Sequence, residues 1–551
     1  MIDAQNQSHE QVPAAQVGRR VLRATGALML IQVFLKGFGL IEKMVLSRCF
    51  GTGWQADAYN AAKDIAFYVF QIVDQVIMHS FLPVFVQRLR EQGEKDAWRM
   101  ASTAINLLIL LMGAIALIGS LHTHQVMQLF LQGWMSEDTL RDPSLIPMTE
   151  HLTRVMLIAV IFLATSSLTY CLLNSYKQFA LPASAELALK GTVLVFAILF
   201  AGTWGPLALT IGFVFGAAAK VVVHGVGLGK RLLNYRPVLE VKHPGLRQFG
   251  LLALPLLLGV GMSIVRQVMD NRFLSSLAQG NLSAIKYART ITDMPVQFFP
   301  FVFGIALFPF LADIAVAGDL ARLRNMLMTA TRMMILIFIP LAVLFIIYQT
   351  PIVYVLYGSK HFDMQSANLL AAPFRVYALG MLVGALEIIV LQFFFAMSDT
   401  LRPTVVGMAI VPLHILLAYL GVYQWQLGAM AIGLALLCSK GTKIIILYTM
   451  IRGKFHSLEG RNTLLLLGKM LVAMVPLVLL LFLGLQYLPH EVGTKHKIVI
   501  LAKLLLFSGA GIFAYLSILH ELHTEEVILL VERVRGKLLK KRPPVIEPTP
   551  V

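Results

Sequence analysis

Apolar runs of about 20 residues recur through this chain of 551 residues, and each is long enough to cross the hydrocarbon core of a bilayer. Because lipid offers no partners for backbone N–H and C=O groups, each run must form an α-helix. The composition agrees, since 58% of the residues are apolar and 14% are charged, against about 25% charged in soluble proteins. The sequence therefore predicts an all-α polytopic membrane protein without a soluble domain.

The hydropathy pattern predicts about 14 spans, with ends defined to within a few residues. Arginines precede the first run and no cleavage-site pattern follows it, so we interpret it as a retained span rather than a signal peptide. The predicted ranges are 25–49, 58–87, 98–121, 150–175, 180–203, 206–229, 248–277, 283–312, 323–348, 367–397, 403–424, 427–450, 462–486 and 497–520.

Basic residues mark one side of the predicted membrane. About 25 of them lie in alternate loops and the C-terminal tail, whereas about five lie in the loops between. By the positive-inside rule, the first set of loops and both termini are expected in the cytoplasm. The expected location of the chain is the cytoplasmic (inner) membrane. This distribution also explains much of the formal charge of +17, and its spread over short loops argues against nucleic-acid binding.

Two motifs recur at an offset of six spans. Span 2 ends in Phe81-Leu82-Pro83 and span 8 ends in a similar Leu-Phe-Pro motif, while Pro182 and Pro403 occupy equivalent joints between later spans. We infer a duplication that gives two six-helix lobes of the same orientation, followed by two C-terminal helices. The predicted units are a cytoplasmic N-terminal segment (1–24), a first lobe with spans 1–6 (25–230), a cytoplasmic linker (231–247), a second lobe with spans 7–12 (248–451), spans 13–14 (452–521) and a cytoplasmic tail (522–551).

Ionisable residues inside the predicted spans are the strongest functional signal. Each is unfavourable in lipid, by about 2.5–3.5 kcal/mol on insertion scales, and should face a wet cavity or a partner. They are densest in spans 1, 2, 7 and 8, the equivalent first hairpins of the two lobes. There, seven basic residues (Lys36, Lys43, Lys63, Arg266, Arg272, Lys286 and Arg289) outnumber five acidic ones (Glu42, Asp64, Asp74, Asp270 and Asp293).

This surplus of cations suits an anionic substrate, and the planar donor fork of arginine suits phosphate. The alternative is that the charges form internal ion pairs that hold helices together. Arg266 and Asp270 are four residues apart, as are Arg289 and Asp293, which is the spacing of pairs on one helix face. Both interpretations stay open at this point.

Several segments, in this order, resemble the MurJ/MviN family of lipid II flippases, within the multidrug/oligosaccharidyl-lipid/polysaccharide exporter superfamily. The resemblance extends over nearly all of the predicted spans. The segments that carry it are Arg48–Gly53, Ala56–Tyr59, Phe81–Pro83, Lys286–Arg289 with Pro295, Gly304–Pro309, Tyr357-Gly358 and Phe395–Thr404.

The resemblance implies a cationic cavity between two lobes, a hydrophobic groove formed by the last two helices, and alternating access. It also implies a substrate, an undecaprenyl-pyrophosphate-linked peptidoglycan precursor (lipid II), moved from the cytoplasmic to the outer leaflet. The predicted substrate-binding residues are Lys36, Lys43, Arg48, Lys63, Arg266, Arg272 and Arg289, and the predicted ion ligands or salt-bridge partners are Glu42, Asp57, Asp270 and Asp293.

The chain departs from the family pattern within the first helix. Lys36 stands where the family has its first arginine, Glu42 stands at the second, and Lys43 occupies the usual aspartate position. In span 8 the family arginine is displaced by one residue to Arg289, which turns a helical side chain by about 100 degrees. Either neighbouring cations compensate, or the head group of the lipid differs.

The sequence also bears on other functions. An intramembrane enzyme would need a nucleophile with a base or a metal motif, and we find neither. His79 is interpreted as the one intramembrane histidine and as a packing or polar contact. We expect no catalytic residue, no metal and no cofactor. The surplus of cations in the predicted spans argues against a multidrug exporter. A flippase for an exopolysaccharide or O-antigen type lipid and a transport-inactive envelope scaffold remain alternatives.

The expected partners are a lipid-linked pyrophosphate, membrane lipids and cell-wall synthesis proteins. The chain is expected to act as a monomer.

Overall fold

The computed structural model describes residues 35, 37–135, 142–178, 180–455, 460–487, 497–528 and 531. Within these residues the regular elements are helices, which confirms the predicted all-α class. In chain order, the α-helices are α1 (37–50), α2 (Trp54–Glu91), α3 (Glu94–Leu121), α4 (Thr123–Phe130), α5 (Leu145–Ser175), α6 (Ala180–Trp204), α7 (Pro206–Leu228), α8 (Pro244–Ser275), α9 (Asn281–Val316), α10 (Leu320–Ile347), α11 (Gln349–Tyr357), α12 (Met364–Ala396), α13 (Leu401–Tyr419), α14 (Met430–Phe455), α15 (Gly460–Gln486) and α16 (Lys497–Glu521).

Twelve helices in the described part of the chain are long and apolar enough to cross a membrane, so the chain is a multi-pass membrane protein. They correspond to twelve of the predicted spans. The two others are the predicted span 25–49, of which residues 25–34 and 36 lie outside the described residues, and span 283–312, which falls within the 36-residue helix α9. The number 14 therefore stays a prediction.

The same pattern of helix packing occurs in both halves of the chain. In the first half, α2 packs on α5, α3 on α5, α5 on α7 and α6 on α7. In the second half, α9 packs on α12, α10 on α12, α12 on α14 and α13 on α14. Each contact in the second half is the counterpart of one in the first half under the predicted six-span offset. This is the arrangement expected of a duplicated unit, and we call the two halves the first and second lobes.

The helices α15 and α16 form an antiparallel pair beside the second lobe. They pack on each other, α15 packs on α10, and α16 packs on the short helix α11. Leu477 and Leu481 of α15 are fully buried in this contact, and the Tyr515 hydroxyl donates to the backbone oxygen of Leu336 at 3.1 Å. Many of the remaining leucines on α15 and α16 are exposed, as expected of side chains that contact lipid tails.

The two ends of the bundle differ in what they hold. The segment 229–243 joins the lobes at one end, which we call the linker end, and it lies along α3, where Arg99 pairs with Glu240 at 2.7 Å. The opposite end, called the far end, carries the turns 51–53, 276–280 and 358–363. Between the ends the lobes meet mainly along α2 and α8, with α2 also packed on α9. The ionisable residues of both lobes face one another along this contact.

Candidate functional site

A buried carboxylate joins the lobes at the far end. Asp57, in the first turn of α2, is 1% exposed. Its Oδ2 accepts from the backbone N–H of Gly280 at 2.6 Å, and its Oδ1 accepts from that of Ser283 at 2.8 Å. These N–H groups begin α9, so the carboxylate of one lobe caps a helix of the other and compensates the positive end of its dipole. We call this contact the latch.

Two glycines allow the backbones to approach closely around the latch. Gly280 has a φ of +93°, and a Cβ there would lie 2.7 Å from the backbone oxygen of Thr52. Gly51 has a φ of +59°, and a Cβ there would lie 1.8 Å from the backbone oxygen of His361. Only glycine fits such positions without strain, because a side chain meets both an unfavourable φ and a backbone atom. The far end is therefore tightly closed in this structure.

A polar chain runs inward from the latch between the lobes. The Lys43 ammonium on α1 donates to Asn60 Oδ1 at 2.7 Å, and Asn60 Nδ2 donates to Ser283 Oγ of the second lobe at 3.0 Å. Among the described residues, no carboxylate lies within 4.0 Å of Lys43. The half-buried Lys43 is thus held by a neutral amide, and its charge remains available to an anion.

Two lysines deeper in the contact are already neutralised. Lys63 on α2 pairs with Glu42 on α1, a carboxylate that also accepts from the Tyr59 hydroxyl at 3.3 Å. Lys286 on α9 pairs with Asp64 on α2 and so links the two lobes. Asp64 also accepts from Asn271 Nδ2 at 2.8 Å. Pairing of this kind lowers the free energy of burying each charge.

A charged triad lies inside the second lobe. Arg266 donates to Asp270 Oδ2 at 2.8 Å, and His414 Nε2 contacts the other oxygen of Asp270 at 2.7 Å. His414 is 1% exposed, and its Nδ1 contacts Ser439 Oγ at 3.2 Å. The Asp270 carboxylate therefore connects α8 with α13, and His414 extends the connection to α14 through Ser439.

The triad borders a cavity of about 410 Å³. Its basic residues are Arg266, Lys440 and Lys443, and its carboxylate is Glu387 on α12. Glu387 bridges both lysines, with one oxygen 2.8 Å from Lys440 Nζ and the other 2.7 Å from Lys443 Nζ. Two lysines thus share one carboxylate, so this pocket is cationic as well.

The predicted site residues do not all meet in one place. Lys43, Lys63 and Glu42 lie together in the contact between the lobes, and Arg266 and Asp270 lie together in the second lobe. Arg289 and Asp293 pair with each other at 3.7 Å on α9, and the Arg289 guanidinium lies 5.9 Å from the centre of the Tyr377 ring. The remaining predicted residues are at other positions: Asp57 in the latch, Arg272 donating to the backbone oxygen of Leu129 at 3.4 Å, Arg48 at the far end, and Lys36 outside the described residues.

Sequence reasoning missed several members of this network. His79 is not the one intramembrane histidine, since His224 and His414 are also buried inside membrane-spanning helices. Asp64 and Lys286 were visible as intramembrane charges, but their pairing across the lobes was not. His414 could have been recognised as an intramembrane residue from the sequence, because it lies in the middle of an apolar span. In the described part of the chain, no group of three His, Cys, Asp or Glu residues is arranged to hold a metal ion.

The bridge at Glu387 gives a direct test of the pocket. Replacing Glu387 with glutamine leaves Lys440 and Lys443 without a counter-charge, so we expect a loss of about 2–3 kcal/mol in stability, less than for a fully buried pair because the site is partly wet. Replacing Lys440 with glutamine should cost less than about 1 kcal/mol, because Lys443 still pairs with Glu387. Thermal unfolding of the two purified variants measures the difference, and equal losses would show that Glu387 does not bridge the lysines.

Comparisons with known proteins agree on one family. The family model described as "Lipid II flippase MurJ" matches residues 46–502. A probable lipid II flippase MurJ of Bdellovibrio bacteriovorus is 26% identical over 77% of this chain and 81% of its own length. The lipid II flippase MurJ of Burkholderia cenocepacia is 24% identical over 71% of this chain and 76% of its own length.

Solved structures show the same fold. A lipid II flippase MurJ in an inward closed conformation superposes with a TM-score of 0.72 at 18% identity, covering 90% of this chain and 99% of that one. An inward-facing multidrug resistance MATE transporter of the MOP superfamily superposes with a TM-score of 0.62 at 13% identity, covering 77% of this chain and 94% of that one. At these identities the likeness establishes the fold.

Proposed function

The chain belongs to the MurJ family of lipid II flippases, and from this premise we propose that it moves lipid II from the cytoplasmic to the outer leaflet by alternating access. Lipid II carries a pyrophosphate between its undecaprenyl tail and its sugar head group. A transporter for such a molecule needs cations in a closed cavity and an apolar path for the tail. The contact between the lobes offers the first, and the exposed apolar side chains of α15 and α16 offer the second.

The orientation follows from the charge of the loops. The linker end carries Arg99, Lys230, Arg231 and Lys242, and basic loops remain on the cytoplasmic side. We therefore place the linker end and both termini in the cytoplasm, and the chain in the inner membrane. The latch is then at the outer side, and its closure corresponds to a state in which the outer leaflet is sealed.

The unpaired charge of Lys43 is the observation that best supports an anionic substrate. A half-buried ammonium without a carboxylate is unfavourable unless an anion joins it. The neighbouring lysines Lys63 and Lys286 are neutralised by carboxylates in this structure, which keeps the contact between the lobes near neutrality. A pyrophosphate entering here would bind Lys43 directly and compete with these carboxylates for the other two.

In this proposal, alternating access follows when Lys286 exchanges its ion-pair partner Asp64 for the substrate anion. When the anion takes Lys286 from Asp64, it weakens a contact between the lobes, and opening the far end requires the loss of the Asp57 contacts as well. Substrate binding thus acts directly on the contact of Asp64 with Lys286, and the Asp57 contacts are lost when the far end opens. We place Arg266, Arg272 and Arg289 as further counter-charges for the head group, where Asp270 pairs with Arg266 and Asp293 pairs with Arg289 in this structure.

Depletion of the protein is the decisive experiment. If the proposal is right, lipid II accumulates on the cytoplasmic leaflet of depleted cells, and re-expression of the chain restores its turnover. Accumulation of another lipid-linked oligosaccharide would identify a different head group. Normal turnover of all lipid-linked precursors, with a defect in envelope assembly, would indicate a scaffold that no longer transports.

Lys43 provides the most specific mutational test of substrate binding. Lys43→Gln removes the charge and keeps a polar side chain, so we expect flipping to fall about tenfold or more, since a charge-assisted contact contributes about 1.5–3 kcal/mol. Lys43→Arg keeps the charge and should retain most activity. Complementation of depleted cells at matched protein levels measures both. Full activity of the glutamine variant would remove Lys43 from the site.

The remaining features of the proposal concern assembly. A single chain contains both lobes and both additional helices, so we propose that it acts as a monomer. Enzymes that make or polymerise the lipid-linked precursor are the expected partners, because they supply and consume the substrate on the two leaflets. Membrane lipids surround the exposed apolar faces of the helices.

A further inference from the structure

Four basic side chains surround a cavity of about 380 Å³ at the far end. They are Arg48 from the end of α1, Lys360 and His361 from the turn between α11 and α12, and Lys497 from the start of α16. Gly358 and Ser359 complete the lining, and no acidic side chain lines the cavity among the described residues. We call this group the basic cluster. The cluster lies apart from the contact of Lys43 and Asn60.

Hydrogen bonds hold together the three elements that carry the basic cluster. Ser47 Oγ on α1 donates to the backbone oxygen of Tyr357 at 3.3 Å, and Ser359 Oγ donates to the backbone oxygen of Ser47 at 3.3 Å. The Lys497 ammonium donates to the backbone oxygen of Gly358. Three separate elements are therefore joined around the cavity, while the side chains of Arg48, Lys360 and His361 are exposed there.

The carboxylate nearest in sequence to Lys360 and His361 already accepts a hydrogen bond from the backbone. Asp363 accepts from the backbone N–H of Ser366 at 2.9 Å and caps α12. The Arg48 guanidinium and the Lys497 ammonium lie close enough to influence one another electrostatically. Such like charges are unfavourable together unless an anion joins them, and a phosphate group offers several oxygens to an arginine fork and to ammonium groups at once.

The basic cluster spans the junction of the lobes. Arg48 belongs to the first lobe, whereas Lys360 and His361 belong to the second. We propose that the cluster binds a phosphate-class anion, and that the bound anion bridges the lobes and stabilises closure of the far end. The side of the membrane from which the anion binds depends on the orientation given under the proposed function. The existence of the site does not depend on that orientation. Both a lipid head group and a free phosphate compound carry this chemistry.

Binding of inorganic pyrophosphate to the purified full-length chain tests the site. In nanodiscs of neutral phosphatidylcholine, calorimetric titration should show binding that is about tenfold weaker in the Arg48→Ala/Lys497→Ala variant and similarly weaker in Lys360→Ala/His361→Ala. The matched control is Lys242→Ala/Arg247→Ala, which removes two exposed cations at the linker end and should bind as the unaltered chain does. Equal affinity in all variants, or equal loss in the control, would overturn the proposal.

The source of the anion is tested by adding phosphatidylglycerol to the nanodiscs. If a lipid head group occupies the cluster, pyrophosphate affinity falls in these nanodiscs for the unaltered chain but not for Arg48→Ala/Lys497→Ala. An unchanged affinity indicates a soluble phosphate compound. Either outcome supports a phosphate-class site and separates its two sources.

Hydrogen exchange at the latch tests the bridging role. The backbone N–H groups of Gly280 and Ser283 donate hydrogen bonds to the Asp57 carboxylate. By stabilising closure, pyrophosphate should slow the exchange of these two amide hydrogens with solvent. This readout lies outside the cavity itself, and unchanged protection at saturating pyrophosphate would overturn the bridging role. Because these measurements use purified protein and involve no flipping, their failure is distinguishable from a failure of the lipid II proposal in depleted cells.

Discussion

Replacing Asp57 with alanine is expected to open the far end and abolish flipping. The variant leaves the N–H groups of Gly280 and Ser283 without their carboxylate, and hydrogen bonds to a charged group contribute about 1.5–3 kcal/mol each. A loss of about 3 kcal/mol corresponds to a shift of about 100-fold in the balance between closed and open forms. A chain that rarely closes its far end cannot return to the inward-open state.

Cys49 allows this opening to be measured. It lies half-buried beside the turn that contacts the second lobe, whereas Cys171 is buried and Cys438 is exposed. In a Cys438→Ser background, a maleimide reagent should label Cys49 much faster in the Asp57→Ala variant than in the parent chain. Asp57→Asn should give an intermediate rate, because its amide keeps one acceptor oxygen. Labelling at the parent rate in both variants would contradict the role of the latch.

Asp363 supplies the matched control for the latch. It too caps a helix, through Ser366, but both residues belong to the second lobe and the carboxylate is exposed. The Ser366 backbone N–H lowers the pKa of Asp363, so this cap is present above the usual aspartate pKa and is lost as the pH falls through the lowered value. Asp363→Ala should cost about 1 kcal/mol in stability without altering Cys49 labelling.

Hydropathy and charge predicted much of this architecture, because both are local properties. Apolar runs identified the helices, since backbone groups in lipid leave no other choice of structure. The spacing of Arg266 and Asp270 predicted their pairing, because residues four apart on a helix are neighbours by geometry alone. Arg289 and Asp293 pair for the same reason.

Contacts between distant helices could not be read in this way. Asp64 could have paired with any nearby cation, and only the packing of α2 on α9 brings Lys286 to it. Arg48 was predicted as a substrate-binding residue together with the cavity cations, yet the end of α1 carries it to the basic cluster. His414 was missed because a single histidine in an apolar span has no local pattern that reveals its partner.

The pair formed by Asp64 and Lys286 is expected to contribute to both stability and transport, and a double-mutant cycle separates the two. Asp64→Asn or Lys286→Met alone leaves one partly buried charge without its partner, so each should destabilise the protein by about 2–3 kcal/mol. The double variant removes both charges and should recover most of this loss. As a control, the exposed pair Arg99 and Glu240 should show a coupling below about 1 kcal/mol.

Flipping should follow a different rule from stability in the same cycle. If Lys286 passes from Asp64 to the pyrophosphate of the substrate, the double variant regains stability but still lacks a cation that the substrate needs. We therefore expect its thermal unfolding to approach that of the unaltered chain while its complementation stays as poor as that of Lys286→Met. Recovery of both together would mean that the pair only holds the lobes in contact, whereas recovery of stability alone identifies Lys286 as a residue that exchanges its carboxylate for substrate.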